Sequence, residues 1–205
     1  MTSIPAARAE RRARSLTAPL CAASALLASG ALAAGLALGA APAEDWQLAA
    51  RYTARFAFLL FLPVYVASAW NRLAPSAASR WVRKRRRSLA LAFATAHAIH
   101  LGALTAFQLT KAEAPDAVTL VVGGGAFVAL GALAATSNDA AVRRLGRRWR
   151  PLHLFGVHYI WFVFAFSYFG RVAAGQLAFL PLFGAALGAL ALRIVAARRR
   201  RARSG

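Results

Sequence analysis

Several features on which many active sites depend are scarce or missing in this sequence. Cys21 is the only cysteine among 205 residues, so neither an intrachain disulfide nor a cysteine-based zinc or iron–sulfur site can form. Asp and Glu together number six, against 26 Lys and Arg. The run Gly123-Gly124-Gly125 is not followed by Gly-Lys-Ser or Gly-Lys-Thr, which excludes a phosphate-binding loop there.

The sequence also lacks a long polar stretch from which a soluble domain could be built. Hydrophobic residues make up 60% of it, and the mean hydropathy is +0.51. A net charge of +20 spread over a folded surface would indicate nucleic-acid binding, but here the arginines cluster in short segments between apolar runs. This pattern is typical of a polytopic membrane protein. We therefore expect membrane lipid, and no nucleic acid, around the chain.

Six apolar runs approach or exceed the roughly 20 residues that a membrane-spanning helix needs. We predict an all-α bundle of six transmembrane helices over residues 17–195, after a basic cytoplasmic arm (1–16) and before a basic cytoplasmic tail (196–205). The predicted spans cover residues 17–41, 46–70, 88–110, 117–137, 151–170 and 172–192.

Lysine and arginine fall mainly on one side of this six-span arrangement. Of the 26, 22 lie in the terminal segments or in the loops between spans 2 and 3 and spans 4 and 5, with Arg193 counted in the tail. Because basic loops stay in the cytoplasm, we predict an inner (plasma) membrane protein with both termini cytoplasmic. Spans 3 and 5 then both run outward from the cytoplasm.

The first two apolar runs each allow a second interpretation. Ala41-Pro42-Ala43 resembles a signal-peptidase site, but the preceding run is about twice as long as a usual signal sequence core, so we expect a retained span. In span 2, we expect Arg51 and Arg55 to extend outward as anchors, with anion or propionate binding as the alternative. Pro63 is a candidate kink in the same helix.

All four histidines lie inside predicted spans, where ionisable side chains are costly and usually functional. At 1.5 Å per residue, His97 and His100 lie about 15 and 20 Å from the cytoplasmic end of span 3. In span 5, His158 lies about 12 Å and His153 about 5 Å from that end. His97 and His100 share a helix face, whereas His153 and His158 are roughly 140° apart. Two parallel helices are therefore predicted to present imidazoles at similar depth.

Imidazoles from two helices within an apolar pocket are what a b-type haem needs. Five aromatic residues follow in span 5 and are candidates to line such a pocket: Tyr159, Trp161, Phe162, Phe164 and Phe166. Two alternatives remain open. The histidines could make interhelical hydrogen bonds in a haem-free permease or scaffold. They could also bind a bare zinc or copper ion, although neither span holds a carboxylate or thiolate to complete the site.

Motifs around two of the histidines carry a resemblance to a known family. They are Thr136-Ser137, Arg143-Arg144-Leu145-Gly146-Arg147-Arg148-Trp149 and Leu152-His153, together with Arg86-Arg87-Ser88-Leu89 ahead of His100. Over roughly residues 40–195 the chain resembles ferric reductase-like transmembrane domains, most nearly the haem-binding membrane subunits of periplasmic methionine sulfoxide reductase systems. The resemblance implies an integral membrane b-haem protein that passes electrons across the bilayer, with a flavin or a quinone as donor.

The sequence departs from the family pattern at positions where further histidines are common. Phe166 replaces a second histidine in span 5, and Arg86 and Arg87 stand where a second span 3 histidine would be. We therefore expect one haem rather than two. All four histidines are candidate cofactor-binding residues: His97, His100, His153 and His158.

Motif spacing and depth in the membrane favour different ligand pairs. Spacing indicates His100 and His153, whereas depth favours His97 or His100 together with His158. We predict His100 and His158 as the ligands of the haem iron. His153 is then expected at the edge of the site, as a further ligand or a propionate contact.

These observations predict electron transfer across or within the membrane, by a chain that could be the membrane subunit of an oxidoreductase and has no catalytic residues of its own. No nucleotide-binding or flavin-binding domain is recognisable in the sequence, so we expect that the chain does not take hydride from NAD(P)H by itself. A separate redox donor and an extracytoplasmic or membrane acceptor protein are therefore the expected partners.

Overall fold

The computed structural model describes residues 16–111 and 114–202, and all regular structure in these ranges is helical. The all-α prediction is confirmed for this part of the chain. Apart from Leu16, the predicted basic arm lies outside the described residues. So do Glu113 and the end of the predicted tail from Arg203 onward.

The described residues form a succession of α-helices with short turns between them. The helices are α1 (Thr17–Leu38), α2 (Pro42–Leu73), α3 (Ala77–Lys84), α4 (Arg86–Leu109), α5 (Gly124–Ala135), α6 (Asp139–Leu145), α7 (Trp149–Ala173) and α8 (Leu180–Arg201). A π-helical turn, Thr119–Gly123, leads directly into α5. Short 3₁₀ turns, Gly146–Arg148 and Leu177–Phe179, precede α7 and α8.

Within the described residues, five helical segments are long and apolar enough to cross a membrane, so the chain is a multi-pass membrane protein. They are Thr17–Leu38, Pro42–Leu73, Arg86–Leu109, Asp139–Ala173 and Leu177–Arg201. The fourth predicted span corresponds to the shorter apolar segment Thr119–Ala135. Its length is at the lower limit of the roughly 17–25 residues seen in spanning helices, so the count of six remains a prediction.

The described chain divides into two compact units. The first takes in the residues up to Phe61 and those from Lys84 to Pro115. The second takes in Leu62–Arg83 and the residues from Asp116 onward. His97 and His100 therefore belong to the first unit, and His153 and His158 to the second.

In the first unit, α1 packs closely on its neighbours through small residues. Ser24 in α1 donates its hydroxyl proton to the backbone carbonyl of Ala92 in α4, at 2.7 Å. Gly35 lies so close to the backbone of Ala49 in α2 that a Cβ atom would come within 2.3 Å of it. Small side chains thus allow the close helix approach that is typical of packing in lipid.

In the second unit, polar side chains begin the helices where the chain leaves a loop. The backbone N–H of Thr119 and its hydroxyl each donate to the Asp116 carboxylate at 2.8 Å. These bonds hold the pKa of the exposed Asp116 carboxyl below its ordinary value. Asn138 caps α6 by accepting the N–H of Ala141 at 2.7 Å.

The boundary between the fifth and sixth predicted spans lies later than the arginine at position 171 indicated. Helix α7 continues through Arg171 to Ala173. The chain then turns at Gly175, whose φ of 78° lies in the left-handed region that glycine adopts without steric cost. Helix α8 consequently begins at Leu180 rather than at residue 172.

Two further details concern predicted span 2 and the basic loop that follows it. Helix α2 continues through Pro63 without a break in its helical assignment. The basic loop that follows contains a short helix, α3, which begins with a reciprocal pair of caps: Ser76 Oγ accepts the N–H of Ser79, and Ser79 Oγ accepts the N–H of Ser76.

Candidate functional site

His100, in α4 of the first unit, is held by a threonine of α2. Its Nδ1 lies 3.1 Å from the hydroxyl oxygen of Thr53, which is completely buried. That hydroxyl also lies 2.7 Å from the carbonyl oxygen of Ala49 and 3.1 Å from that of Ala50. With that hydroxyl proton directed to either carbonyl oxygen, Thr53 accepts from His100 Nδ1–H, and this tautomer has the lone pair of the ring on Nε2.

His97 lies one helical turn before His100 and is almost completely buried, with 6% of its surface exposed. The two imidazole rings are 5.1 Å apart, as expected for side chains that share a helix face. On the other side, the ring of Phe93 lies 5.2 Å from His97 and 5.3 Å from Phe61. The first unit thus combines two imidazoles with an apolar aromatic surround.

His158, in α7 of the second unit, is held by its own helix. Its Nδ1 lies 2.8 Å from the backbone carbonyl oxygen of Leu154, four residues earlier. Because that oxygen can only accept, Nδ1 carries the proton and Nε2 carries the lone pair. The His158 ring also meets the ring of Tyr65 edge-on, at 5.6 Å between centroids. The imidazole is therefore in contact with a buried aromatic residue.

His153 lies five residues earlier in the same helix and is hydrogen-bonded through its other ring nitrogen, Nε2. Its Nε2 is 2.9 Å from the hydroxyl oxygen of Thr136, which donates its proton to the carbonyl of Ala132 at 2.6 Å. With the hydroxyl proton on that carbonyl, Thr136 accepts from His153 Nε2–H, and this tautomer has the lone pair on Nδ1. The His153 ring also stacks on Trp149 at 4.1 Å, and Trp149 donates its indole N–H to the Thr136 carbonyl at 3.0 Å.

The donor atoms of His100 and His158 fit the axial ligation of haem. Metal-binding histidines characteristically donate one ring N–H to a backbone carbonyl or another protein group and bind the metal through the other nitrogen. His100 and His158 both have this arrangement, with Nε2 as the nitrogen that carries the lone pair. In His153 the lone pair is on Nδ1, beside the attachment point of the side chain, where a large planar cofactor has less room.

A site for a bare metal ion would need more ligands than the structure brings together. Within residues 16–111 and 114–202, no group of three or more His, Cys, Asp or Glu side chains could hold an ion. The histidines therefore occur singly or as the His97–His100 pair. An axial ligand contributes only one imidazole, so this distribution fits a cofactor that supplies its own equatorial ligands.

The aromatic residues predicted to line a pocket in span 5 divide between buried and exposed positions. Phe164 is buried, and Trp161 stacks on Tyr65 at 6.2 Å with 12° between the rings. Phe162 and Phe166 are nearly half exposed and stack on each other. Tyr159 donates its hydroxyl proton toward the carbonyls of the π-helical turn at Val121 and Val122, which gives it a structural contact.

Three residues of these surroundings were not identified from the sequence: Thr53, Tyr65 and Arg193. A threonine within a span indicates that its hydroxyl has a partner, but not which partner. Arg193 was counted with the cytoplasmic tail when the charges on the two sides were compared. It lies within α8 and donates from Nη1 to the backbone carbonyl of Tyr65 at 2.6 Å.

The arginines of span 2 were predicted to extend outward as anchors. Arg51 and Arg55 are both half-buried in the structure. The Arg55 guanidinium carbon lies 5.7 Å from the ring centroid of Tyr52, within reach of a cation–π contact. No ligand contact follows from this geometry, so the alternative role in anion binding remains a prediction.

Comparison with known proteins supports the resemblance inferred from the motifs. Over 135 residues the chain is 33% identical to the protein-methionine-sulfoxide reductase heme-binding subunit MsrQ of Cronobacter sakazakii (strain ATCC BAA-894). It is 32% identical over the same length to the protein of that name from Klebsiella pneumoniae (strain 342). The alignments cover 60% of this chain and 66% of each relative.

No family model matches the chain, and no solved structure matches it. The two relatives therefore carry the comparison, and both have the same name. The chain is similar to the haem-binding MsrQ subunits, as the motifs that flank His100 and His153 predicted.

Proposed function

We propose that this chain is an inner-membrane subunit that binds b-type haem and transfers electrons for the reduction of methionine sulfoxide in proteins. One observation carries the proposal: in a chain similar to two haem-binding subunits, two imidazoles on long apolar helices each have Nδ1 within hydrogen-bond distance of a protein oxygen, as haem-ligating histidines do. When bound, haem would supply one-electron redox chemistry. The protein's part is to present the nitrogen ligands and to keep water away from them.

His100 and His158 are the proposed ligands of a single haem iron. Their identity was predicted from depth in the membrane and from the motif spacing, and the ring orientations support it. In the proposed site, Thr53 and the Leu154 carbonyl each accept a hydrogen bond from Nδ1–H, which orients the ring. His97 packs beside His100 and supports it. His153 has a structural role at the junction between α5 and α7, rather than that of a ligand.

The proposed partners follow from the similarity to haem-binding subunits of a methionine sulfoxide reductase. We propose a flavin or quinone species as the electron donor and a methionine sulfoxide reductase subunit as the acceptor. Electron transport through a ferric reductase-like arrangement of spans is part of the same proposal. Contact between the basic segments and anionic lipid headgroups would stabilise the chain in the membrane.

We also propose six spans with both termini in the cytoplasm, including the short segment Thr119–Ala135 and a retained first helix. The distribution of Lys and Arg supports the orientation, and the packing of α1 against Ala92 supports retention of that helix. An alkaline phosphatase domain fused to the C-terminus should be inactive, because this enzyme folds only after export. An active fusion would contradict the proposed topology.

The absorption spectrum of the purified protein in detergent tests the haem proposal. We expect a Soret band in the oxidised protein and resolved α and β bands after reduction with dithionite. A pyridine haemochrome assay should identify b-type haem at one per chain. A colourless protein, prepared from cells supplied with a haem precursor, would favour the haem-free permease or scaffold instead.

A further inference from the structure

Arg193 lies in α8, apart from the arginine cluster at the end of that helix. Arg193 precedes Arg198 by five residues, which places it about 7 Å deeper along the helix axis. Its neighbours Leu192 and Ile194 are apolar, and its own side chain is half-buried. Charged side chains in spans are costly and usually have a defined partner and a function.

The partner of Arg193 is Tyr65 in the later part of α2. Arg193 Nη1 donates to the Tyr65 backbone carbonyl at 2.6 Å. Its guanidinium carbon lies 4.5 Å from the centroid of the Tyr65 ring, within the range of a cation–π contact. One tyrosine thus holds the arginine at two points, which fixes the position of the positive charge.

Tyr65 also contacts the proposed iron ligand of the same unit. Its side chain is 1% exposed, and its ring meets His158 edge-on at 5.6 Å and stacks on Trp161. Trp161 is fixed in turn by an indole N–H bond to the carbonyl of Ala186 in α8, at 2.8 Å. The His158 ring therefore rests on a rigid group of side chains that ends at the Arg193 charge.

We propose that Tyr65 and Arg193 are positioning residues for His158, and that the Arg193 charge raises the reduction potential of the haem that His158 binds. This inference rests on the proposed function. Tyr65 orients the imidazole, and Arg193 holds Tyr65 while placing a positive charge near the iron. Reduction adds an electron at the iron, so a nearby positive charge favours the reduced state.

The size of the effect follows from the distances. The Arg193 guanidinium carbon lies 4.5 Å from the Tyr65 ring centroid, and that centroid lies 5.6 Å from the His158 ring centroid. The distance from the guanidinium carbon to the His158 ring centroid therefore cannot exceed the sum of these two distances. Over such a range, at the effective dielectric constant of about 20 that suits protein sites, one unit charge changes the equilibrium constant for reduction by about tenfold. For a one-electron couple, tenfold corresponds to about 59 mV.

The same two helices provide a matched control. Arg72 in α2 donates from Nη1 to the backbone carbonyl of Ala196 in α8 at 3.1 Å, so it connects the same helices by the same kind of bond. Arg72 is exposed, and it follows Tyr65 by seven residues, about 10 Å along the helix. Arg72→Gln therefore removes an arginine–carbonyl bond between α2 and α8 while leaving the contacts of His158 intact.

The test is a redox titration of the full-length haem-loaded protein, followed optically, with electron paramagnetic resonance spectra of the oxidised form. Arg193→Gln should lower the midpoint potential by about 59 mV, which corresponds to the tenfold change in the equilibrium constant, while the haem stays six-coordinate and low-spin. Arg193→Lys should restore most of the potential, because it keeps the charge. Arg72→Gln should change the midpoint potential by only a small fraction of the shift seen in Arg193→Gln.

Substitutions of Tyr65 separate ring support from charge. Tyr65→Phe keeps the ring and should leave the low-spin g values unchanged, whereas Tyr65→Leu removes it and should shift them through a changed His158 orientation. Equal potentials in wild type and Arg193→Gln, or equal shifts in Arg193→Gln and Arg72→Gln, would overturn the inference and leave the haem proposal intact. A wild-type protein without haem would overturn both.

Discussion

His153 and His158 lie five residues apart on α7, and their surroundings give them opposite chemistry. His153 donates from Nε2 to Thr136 and stacks on Trp149, so its ring joins the start of α7 to the end of α5. His158 donates from Nδ1 to its own helix, and its Nε2 carries the lone pair. Two histidines in one span are therefore not two equivalent ligands, because the partner of one ring nitrogen decides what the other can do.

His100 in the first unit resembles His158 rather than His153. A different threonine hydroxyl contacts each of these two rings: Thr53 contacts His100, and Thr136 contacts His153. In both contacts the hydroxyl proton is directed to a backbone carbonyl four residues earlier in the chain. The contacts differ in the ring nitrogen that meets the hydroxyl, Nδ1 in His100 and Nε2 in His153. The same residue pairing thus involves Nδ1 of His100 and Nε2 of His153, which is why only His100 is proposed as a ligand.

The largest difference is expected between the two histidines of α7 when each is replaced by Ala. His158→Ala should reduce haem affinity by more than the roughly 10–100-fold that removal of an outer-sphere partner typically causes. His153→Ala should retain haem with an unchanged Soret position, at some cost in thermal stability. Haem content per chain, measured after identical purification, checks both, and full haem content in His158→Ala would move the ligand elsewhere.

A second comparison separates the two histidines of α4. His100→Ala should abolish low-spin haem or leave it high-spin, because it removes the proposed ligand. His97→Ala should keep the low-spin spectrum with lower occupancy and a shifted potential, since His97 contacts His100 and Phe93 without supplying the proposed ligand nitrogen. If both variants keep a six-coordinate low-spin haem, the axial ligand is not in α4.

The two threonines allow a smaller and more specific test. Thr53→Val removes the acceptor of His100 Nδ1–H and should weaken haem binding by roughly 10–100-fold. Thr136→Val leaves the His153 Nε2–H without its acceptor and should lower stability by about 1 kcal/mol without affecting haem affinity. Haem titration of the apoprotein and unfolding in denaturing detergent measure the two effects. Equal losses of haem affinity in both variants would remove the distinction between His100 and His153.

The smallest effect is expected from Trp149→Phe at the His153 junction. The phenyl ring can still stack on His153, but the indole N–H bond to the Thr136 carbonyl is lost. We expect a loss of stability of about 1 kcal/mol and an unchanged haem spectrum. A change in the spin state of the haem would show that this junction contributes to the site.

The all-helical fold and the long apolar helices of the described residues could be predicted because both depend on local patterns. Apolar run length located the spans, and motif spacing identified the resemblance that the comparisons support. The start of α8 was misplaced because Arg171 indicates an interface, whereas the turn depends on the φ angle that only Gly175 accepts easily. A formal charge and a backbone conformation are separate signals, and here the backbone conformation at Gly175 determines where the chain turns.

The partners of the histidines could not be predicted in the same way. Thr53 is 47 residues from His100, and Arg193 is 128 residues from Tyr65. The sequence indicates that a buried polar side chain in lipid needs a hydrogen-bond partner. It does not indicate the register of two packed helices, which decides what that partner is. Arg193 was counted with the tail from its charge alone, and its contact with Tyr65 was not foreseen.

Chemical rescue of a cavity variant tests the account most directly. His158→Gly and His153→Gly proteins, loaded with haem, would be examined by absorption and electron paramagnetic resonance spectroscopy before and after addition of free imidazole. We predict high-spin haem in His158→Gly that becomes six-coordinate and low-spin with imidazole, and low-spin haem in His153→Gly without it. Low-spin, six-coordinate haem in His158→Gly before imidazole is added would contradict the claim that His158 binds the iron.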